Sequence, residues 1–306
     1  MPQPLPLLTI AGSDSGGAAG LQADLKTWAA LGVYGLSAIT AVTAQNSERV
    51  AAVNTLPPDF VAAQIDAVLS DYGAVAIKTG FLGQVEIVEV VAERLTYWRN
   101  VDIGRGGSQT RPYIIIDPVL VNHRGEAMFP PAVAAAYRAL LFPLADLVTP
   151  NRAEAGLLRM WDEAQGGGEA GEQGGVELLQ SQDSPSLGER NRPANASPLL
   201  PRPSAPLPSS GATRILLKGI QRGDEMVDVY WDGQQSIELP QPRIDTINTH
   251  GSGDTLSAAI CAFVALGHAW PDAIHRAQAF THAAIGRGAA WRLGAGHGPV
   301  GVTSDE

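Results

Sequence analysis

The strongest chemical signal in the chain is a glycine-rich loop that leads into an apolar helical pattern, Asn248-Thr-His-Gly-Ser-Gly-Asp-Thr-Leu-Ser-Ala-Ala259. Gly251, Ser252 and Gly253 precede the helix, whose unpaired N–H groups and dipole together form an anion site. Asp254 falls in the first helical turn, where it could simply cap the helix. A carboxylate beside an anion site also suits a general base that takes a proton from a hydroxyl group. The G-[ST]-G-D arrangement favours the base over the cap.

A second candidate site follows another predicted strand, in the run Thr149-Pro-Asn-Arg-Ala-Glu154. Asn151 and Glu154 lie at a helix start, and a capping box explains their spacing as well as a functional role does. The functional interpretation places the Glu154 carboxylate near a phosphate-bound Mg²⁺ ion. Asp117, at the end of an apolar run, supplies a second carboxylate at the same edge of the predicted sheet. Mg²⁺ takes only one or two protein carboxylates beside phosphate and water oxygens, which fits this sparse set.

Lysine is rare in this chain, which has three lysines against 18 arginines. Lys78 and Lys218 both end predicted strands, where burial disfavours a charge that lacks an anionic partner. A retained lysine offers a compact point charge of the kind that phosphate contacts often require. We therefore expect these two lysines to face anions, and Lys26, on the first predicted helix, to be solvated.

The loop after the first predicted strand, Ala11-Gly-Ser-Asp-Ser-Gly-Gly-Ala-Ala-Gly20, is also rich in glycine. Its glycines allow the backbone to approach a ligand closely, although a tight turn explains them nearly as well. The loop does not match G-x-G-x-x-G, and the chain contains no G-x-x-x-x-G-K-[ST] sequence. A dinucleotide-binding fold and a P-loop nucleotidase therefore both lose support.

These motifs are positioned by short apolar runs that alternate with amphipathic stretches. Most of the apolar runs are uniformly hydrophobic, as expected for strands covered on both faces. The alternation predicts an α/β protein with a mostly parallel central sheet and helices on both sides. Ligands bind beyond the carboxyl ends of the strands in such sheets, and the candidate residues follow those ends. The predicted strands are 7–10, 36–42, 75–78, 113–117, 146–149 and 215–218; the helices are 59–69, 85–98, 130–141, 252–266 and 271–290; and a hairpin joins 226–231 to 235–239.

One segment, 162–212, differs in composition from the rest of the chain. It contains no aromatic residue and no lysine, and proline, glycine and serine dominate it. Its prolines remove backbone donors and fix φ, so we predict a flexible insertion. The remaining residues have an ordinary size for one α/β domain, and we expect 1–306 to form a single domain interrupted by this insertion.

Composition and charge restrict the classes of partner. The chain of 306 residues has a formal net charge of −10, and this acidic balance argues against binding to nucleic acid. Its apolar runs are shorter than the roughly 20 residues that a membrane span needs, so no membrane partner is expected. The N-terminal sequence lacks the positive region of a signal peptide, and the single cysteine, Cys261, excludes a disulfide framework. These features predict a soluble, cytoplasmic, globular protein.

The motifs taken together resemble hydroxymethylpyrimidine/phosphomethylpyrimidine kinases, which are thiamine-pathway enzymes of the ribokinase-like superfamily. The resemblance covers nearly the whole chain outside 162–212, in matching order. It implies a three-layer αβα sandwich and phosphorylation of 4-amino-5-hydroxymethyl-2-methylpyrimidine and then of its monophosphate, with Mg²⁺ and ATP. Homodimers are common in families of this kind. The motifs that carry it are Gly12-Ser-Asp-Ser-Gly-Gly-Ala-Ala-Gly-Leu-Gln-Ala-Asp-Leu-Lys-Thr27, Ile39-Thr-Ala-Val-Thr-Ala-Gln-Asn46, Asp117-Pro-Val119, Thr149 to Glu154, Leu217-Lys-Gly219 and Asn248 to Gly253.

The same resemblance implies a role for each matching residue. It gives Gln45 a hydrogen bond to the aminopyrimidine, with Gly12, Asp24 and Phe81 lining the same pocket. Phe81 stands where the family often has Met, and the pyrimidine would stack on its ring. At the position of Asp254 the family typically carries Cys, whereas ribose- and pyridoxal-type kinases of the superfamily carry Asp. The other implied roles are ATP contacts for Lys218, Thr249 and Asn151, magnesium binding through water for Asp117 and Glu154, and an anion hole formed by Gly251, Ser252 and Gly253.

Two other functions stay open on the sequence. A pyridoxal kinase of the same superfamily is favoured by Asp254 and opposed by the Thr-Ala-Gln-Asn sequence that ends at Asn46. A non-catalytic pyrimidine-binding protein is opposed by the intact set of Asp254, Lys218, Asn151 and Glu154. A docking role for 162–212 would be compatible with catalysis.

Overall fold

The computed structural model describes residues 3–101, 111–122, 124–160 and 214–303. Within these residues the chain forms one nine-stranded sheet in the order β3-β2-β1-β4-β5-β6-β7-β8-β9. The predicted insertion 162–212 lies outside the described residues. The strands are β1 (Pro6–Ser13), β2 (Tyr34–Gln45), β3 (Val50–Thr55), β4 (Ala76–Thr79), β5 (Tyr113–Ile116), β6 (Leu147–Val148), β7 (Arg214–Arg222), β8 (Glu225–Trp231) and β9 (Ser236–Pro242).

The centre of the sheet is parallel, and both of its margins are antiparallel. Strand β1 pairs in parallel with β2 on one side and with β4 on the other, where Thr9 lies opposite Lys78. The parallel pairing continues from β4 through β7, whereas β3, β8 and β9 run antiparallel to their neighbours. The chain changes direction across the sheet between β1 and β4, which opens a crevice at the carboxyl ends of these strands.

Helices cover both faces of the sheet and complete the three-layer arrangement. One buried cluster lies beneath α2, α3 and α4, and the other lies beneath α1, α6 and α7. Strands β4 and β5 bury nearly every side chain because both of their faces are covered. None of the helices in the described part of the chain has the length and apolar character needed to cross a bilayer. The helices are α1 (Gly20–Ala30), α2 (Pro58–Asp71), α3 (Val85–Asn100), α4 (Pro131–Ala136), α5 (Arg152–Leu157), α6 (Ser252–Ala265) and α7 (Trp270–Gly288).

The predicted elements are present, with two differences. The helix predicted over 130–141 stays α-helical only to Ala136 and continues as a π-helical turn over Tyr137–Leu141. Strand β3 was not predicted, because its residues are mostly exposed and show no alternation of apolar and polar side chains. The predicted hairpin is formed by β8 and β9, with the turn at Asp232 and Gly233.

Candidate active site

The candidate residues meet at the carboxyl edge of the parallel strands. The loop after β1, the end of β2 and the residues after β4, β5 and β6 all open onto this edge, together with the N-terminus of α6. Parallel strands place their carboxyl ends side by side, so residues far apart in sequence converge there. This convergence is the geometry that the sequence predicts for the site.

The N-terminus of α6 is shaped by Gly251. This residue adopts a left-handed conformation with φ of 79°, and a β-carbon on it would lie 1.8 Å from the carbonyl oxygen of Ala18. Only glycine fits this position, and it brings the first turn of α6 against the loop after β1. Asn248, three residues before Gly251, holds the loop by donating its amide hydrogens to the carbonyl oxygens of Gly288 and Trp291, each at 2.8 Å. Gly251, Ser252 and Gly253 are therefore held in a fixed conformation, in which the N–H of Ser252 donates to the carbonyl oxygen of Thr249 at 3.1 Å.

Asp254 is paired with Lys78 beneath the α6 N-terminus. Lys78 Nζ donates to Asp254 Oδ1 at 3.0 Å and to Asp24 Oδ1 at 2.5 Å. The second oxygen of Asp254 accepts the backbone N–H of Gly20, the first residue of α1, at 3.2 Å. The side chain of Asp254 is 14% exposed, whereas those of Lys78 and Asp24 are completely buried. Asp254 is thus the member of the group that reaches the crevice.

This group contains two carboxylates, those of Asp24 and Asp254, and one ammonium, that of Lys78. Burial alone would raise the pKa of Asp254, but Lys78, Lys218 and the N–H of Gly20 more than offset it, and the pKa is lowered. Burial raises the pKa of Asp24 to about 7, with a further rise from the charge of Asp254. Burial lowers the pKa of Lys78, but the adjacent carboxylates reverse this effect and raise it above its ordinary value. Asp254 therefore carries its charge at neutral pH while Asp24 titrates near neutrality.

The expectation for Asp24 needs correction. Asp24 was expected to line the substrate pocket, but its carboxylate is enclosed between Thr9 Oγ1, at 2.6 Å, and Lys78. Lys78 was expected to face an anion, and its anionic partners are two protein carboxylates. Because Lys78 has no exposed surface, it holds Asp254 in place from the protein interior.

Lys218 and Asp117 form a second ion pair at the mouth of the α6 N-terminus. Lys218 Nζ lies 2.6 Å from Asp117 Oδ1, and a β-carbon on Gly253 would lie 3.1 Å from the same nitrogen. The other oxygen of Asp117 accepts the hydroxyl of Ser257 at 3.0 Å, an interaction that the sequence analysis did not predict. The ammonium of Lys218 therefore lies beside the backbone of the expected anion hole.

Asn151 and Glu154 form a capping box at the start of α5. The Asn151 side chain accepts the N–H of Glu154 at 2.9 Å, and Glu154 Oε2 accepts the N–H of Asn151 at 2.8 Å. Glu154 Oε1 also accepts the N–H of Leu120 at 3.3 Å. Burial raises the pKa of Glu154 to about 7, against the opposing effect of Lys218. The cap accounts for the spacing of the two residues, and it leaves the buried Glu154 carboxylate close enough to interact with Asp117 and Lys218.

The loop after β1 folds around its own carboxylate. Asp14 accepts the backbone N–H groups of Gly16, Ala18 and Ala19 at 2.8–2.9 Å. Burial raises the pKa of Asp14, but these N–H groups outweigh that effect and lower it. These N–H groups are therefore already occupied and are not available to a phosphate.

Gly12 and Phe81 form the opposite wall of the crevice. The N–H of Gly12 donates to the carbonyl oxygen of Phe81 at 3.1 Å, and a β-carbon on Gly12 would lie 3.0 Å from the Phe81 ring. The ring packs against Phe129 at a centroid distance of 5.4 Å and remains half-buried. Close packing against Gly12 thus fixes an aromatic ring beside the crevice.

Gln45 and Thr249 each meet a histidine. Gln45 Nε2 lies 3.0 Å from His250 Nε2, and Thr249 Oγ1 lies 2.9 Å from His297 Nε2. Gln45 and Thr249 were expected in the substrate and ATP sites, whereas the contacts of His250 and His297 could not be predicted from the sequence. Both contacts join residues that the sequence separates widely, so no local pattern identifies them.

Similar proteins of known family support the interpretation of the site geometry. The sequence profile of the family described as Phosphomethylpyrimidine kinase matches residues 14–172 and 202–301. A hydroxymethylpyrimidine/phosphomethylpyrimidine kinase from Rhizobium meliloti (strain 1021) is 41% identical over 294 residues, which cover 96% of this chain and 95% of the relative. The family resemblance inferred from the motifs is confirmed.

Solved structures give the same fold. The ADP complex of Bacillus subtilis pyridoxal kinase matches with a TM-score of 0.71 and 29% identity, over 98% of each chain. Phosphomethylpyrimidine kinase from Clostridium difficile 630 matches with a TM-score of 0.64 and 28% identity, over 92% of this chain and 99% of that chain. The expected ribokinase-like α/β fold is confirmed.

Proposed function

The chain belongs to the phosphomethylpyrimidine kinase family, and we propose that it phosphorylates 4-amino-5-hydroxymethyl-2-methylpyrimidine with ATP and then phosphorylates the monophosphate. The diphosphate product serves thiamine diphosphate biosynthesis. One observation supports this most strongly: the Asp254 carboxylate, held by Lys78, lies in the first turn of α6 beside the ammonium of Lys218. A base, an anion-binding helix start and a cation are the parts that phosphoryl transfer to an alcohol requires.

The first transfer uses Asp254 as the general base. Asp254 accepts the proton of the substrate hydroxyl as its oxygen forms the new bond to the γ-phosphorus of ATP, and the bond from that phosphorus to the bridging oxygen breaks to release ADP. Its pKa is lowered, so Asp254 is ionised before the reaction and receives the proton as the alcohol becomes acidic in the transition state. The backbone of Gly251, Ser252 and Gly253 and the ammonium of Lys218 stabilise the charge on the transferred group.

The second transfer needs no general base. The acceptor oxygen of the monophosphate is already ionised at neutral pH, because the second pKa of a phosphate monoester is about 6. Lys78 then has a different use: it offsets the negative charge of Asp254, which would otherwise repel the incoming phosphate. One site can therefore perform both steps with Asp254 in place of the family's usual Cys.

Mg²⁺ is proposed to bind near Asp117 and Glu154. Both carboxylates are buried at the edge of the site, and each oxygen that accepts a protein donor keeps a further lone pair for a metal-bound water. This sparse set fits an ion that takes most of its ligands from phosphate and water. When bound, Mg²⁺ would neutralise charge on the phosphates of ATP. Thr249 and Asn151 are proposed to contact ATP on the same side of the crevice.

The acceptor pocket is proposed to lie between Gln45, Gly12 and Phe81. The amide of Gln45 offers a donor and an acceptor to the aminopyrimidine edge, and the Phe81 ring offers a face for stacking. The test compares kcat/KM for the aminopyrimidine alcohol and for pyridoxal, with ADP formation as the readout. We expect the aminopyrimidine to be preferred. Faster turnover of pyridoxal would instead support a pyridoxal kinase, and binding without ADP formation would support a non-catalytic protein.

We propose a single kinase domain interrupted by an insertion within 162–212. The family profile passes over 173–201, and the proposed site residues are drawn from either side of that stretch. Deletion of 173–201 is therefore expected to leave kcat and KM unchanged in a steady-state assay. A large loss of kcat without a loss of thermal stability would place the stretch in the active site.

A homodimer is the proposed assembly. Strand β3 lies at the edge of the sheet, and its Val50 and Val53 side chains are about half exposed. Exposed apolar edge strands are suited to pairing with another chain. Light scattering of the native protein and of Val53→Lys tests this: we expect a dimer that the substitution weakens, and a monomeric native protein would contradict it.

A further inference from the structure

A direct contact links the anion-binding loop to the acceptor pocket. His250 precedes the glycine of the α6 N-terminus, and its ring nitrogen Nε2 lies 3.0 Å from the side-chain nitrogen of Gln45. Gln45 is the residue proposed above to recognise the aminopyrimidine. His250 therefore touches the side chain on which substrate recognition depends, although it belongs to the loop on the phosphate side.

Both partners of this contact are held firmly. The hydroxyl of Ser15 accepts the N–H of Gln45 and donates to its carbonyl oxygen, each at 2.7 Å. The N–H of His250 donates to the carbonyl oxygen of Gly298 at 3.0 Å, and the carbonyl oxygen of His250 accepts the N–H of Val300 at 3.3 Å. With both backbones fixed, the contact with His250 decides which end of the Gln45 amide faces the ring.

The contact between two nitrogen atoms allows only one orientation of the Gln45 amide. A hydrogen bond between them requires one N–H donor and one lone pair, so the amide of Gln45 donates to an unprotonated Nε2 of His250. One amide hydrogen is used in this way. The other hydrogen and Oε1 remain as an adjacent donor and acceptor at the edge of the amide.

An aminopyrimidine matches that edge. Its exocyclic amino group donates and the neighbouring ring nitrogen accepts, so both can pair with one amide at once. The ring of pyridoxal has no amino group next to its nitrogen and cannot form the same pair. A reversed amide would set donor against donor and acceptor against acceptor, which leaves polar groups unpaired and costs affinity.

We propose that His250 is a positioning residue that fixes the amide orientation of Gln45 and thereby selects aromatic alcohols that carry an amino group next to a ring nitrogen. This inference rests on the proposed function and adds the determinant of its specificity. His250 acts through Gln45, so it should influence KM for the alcohol much more than kcat.

The experiment measures kcat and KM for the aminopyrimidine alcohol in three variants. His250→Phe keeps a ring but cannot accept a hydrogen bond, and we expect KM for the alcohol to rise about tenfold with kcat nearly unchanged. His250→Gln keeps an acceptor and should restore a near-native KM. The matched control is His275→Phe, a substitution at an exposed position of α7, which should change neither constant.

A second substrate tests whether the site recognises the amino group of the alcohol. The analogue that lacks the amino group should bind weakly to the native enzyme, and His250→Phe should lose most of that discrimination. Thermal melting establishes that each variant is folded, and calorimetric titration with the alcohol gives the same comparison if turnover is too slow to measure. Native protein that neither binds nor phosphorylates the aminopyrimidine would refute the proposed function itself. A fall in kcat with unchanged KM in His250→Phe, or retained discrimination against the analogue, would overturn the role of His250 alone.

Discussion

Replacing Asp254 with asparagine should separate the two phosphoryl transfers. The substitution keeps the size of the side chain and leaves an oxygen that can still accept the N–H of Gly20 or a hydrogen of Lys78. It removes the capacity to take a proton. Since only the first transfer starts from a protonated hydroxyl, only that transfer should lose its base.

The two transfers should slow by different factors in this variant. General-base catalysis contributes about 10²–10⁴-fold, so kcat for the alcohol should fall by that factor. The second transfer should change by less than about tenfold, because it loses no proton acceptor. The fold should tolerate the change, since Lys78 keeps its 2.5 Å contact with Asp24 and no buried charge is left without a partner.

The assay supplies either the alcohol or the monophosphate as acceptor and measures ADP release with each. The matched control is Asp146→Asn, another largely buried carboxylate, which pairs with Arg111 at the opposite edge of the sheet. This control should reduce both transfers equally or not at all. An Asp254→Asn enzyme that phosphorylates the alcohol at a near-native rate would refute the assignment of the base. An equal loss in both transfers would show that Asp254 acts by charge or position.

Three further substitutions test the charge arrangement. Lys78→Met should lower the free energy of unfolding by about 3–5 kcal/mol, measured by urea denaturation, because it leaves the carboxylates of Asp24 and Asp254 without a buried cation; a loss below about 1 kcal/mol would contradict the pairing. Asp24→Asn should flatten the pH dependence of stability: the pKa of Asp24 is raised from 3.8 to about 7, so its contribution is present below pH 3.8 and is lost as the pH rises through about 7. That loss can reach about 1.4 kcal/mol per pH unit, and an unchanged slope in the variant would disprove the buried titration. Glu154→Gln should raise the Mg²⁺ concentration for half-maximal activity about tenfold or more, and an unchanged Mg²⁺ titration would reduce Glu154 to a helix cap.

The sequence predicted the layers of the fold and the edge at which the site lies. Uniformly apolar strands such as Tyr113–Ile116 and glycine-rich helix starts are local patterns with a direct physical cause. Strand β3 was not predicted because its stability comes from pairing with β2 and not from burial of its own side chains. The π-helical turn after Ala136 also follows from tertiary packing that no short pattern records.

The site residues divide in the same way. Asp254 and Lys218 could be placed at the carboxyl edge of the sheet because local patterns mark them: a glycine-rich helix start precedes Asp254, and Lys218 follows an apolar run within β7. The partners of Lys78 could not be identified, since Asp24 lies 54 positions away and Asp254 lies 176 positions away along the chain. The lysine count indicated correctly that Lys78 needs an anionic partner, but it could not distinguish a phosphate from a buried carboxylate.

The contact between Gln45 and His250 is a further example. The two residues are 205 positions apart, and only the close approach of the loop after β1 to the α6 N-terminus brings them together. The fold turns the ring of His250 towards Gln45, the residue proposed to recognise the acceptor.

The most direct test of the account is a time course of phosphoryl transfer by the purified native chain, with Mg²⁺, ATP and 4-amino-5-hydroxymethyl-2-methylpyrimidine, resolved by phosphorus NMR. We expect the monophosphate to accumulate and then to be converted to the diphosphate, with one ADP released for each transfer. A monophosphate that persists while ATP remains in excess would show that the site with Asp254 performs only the first step, and the account of a single two-step site would be wrong.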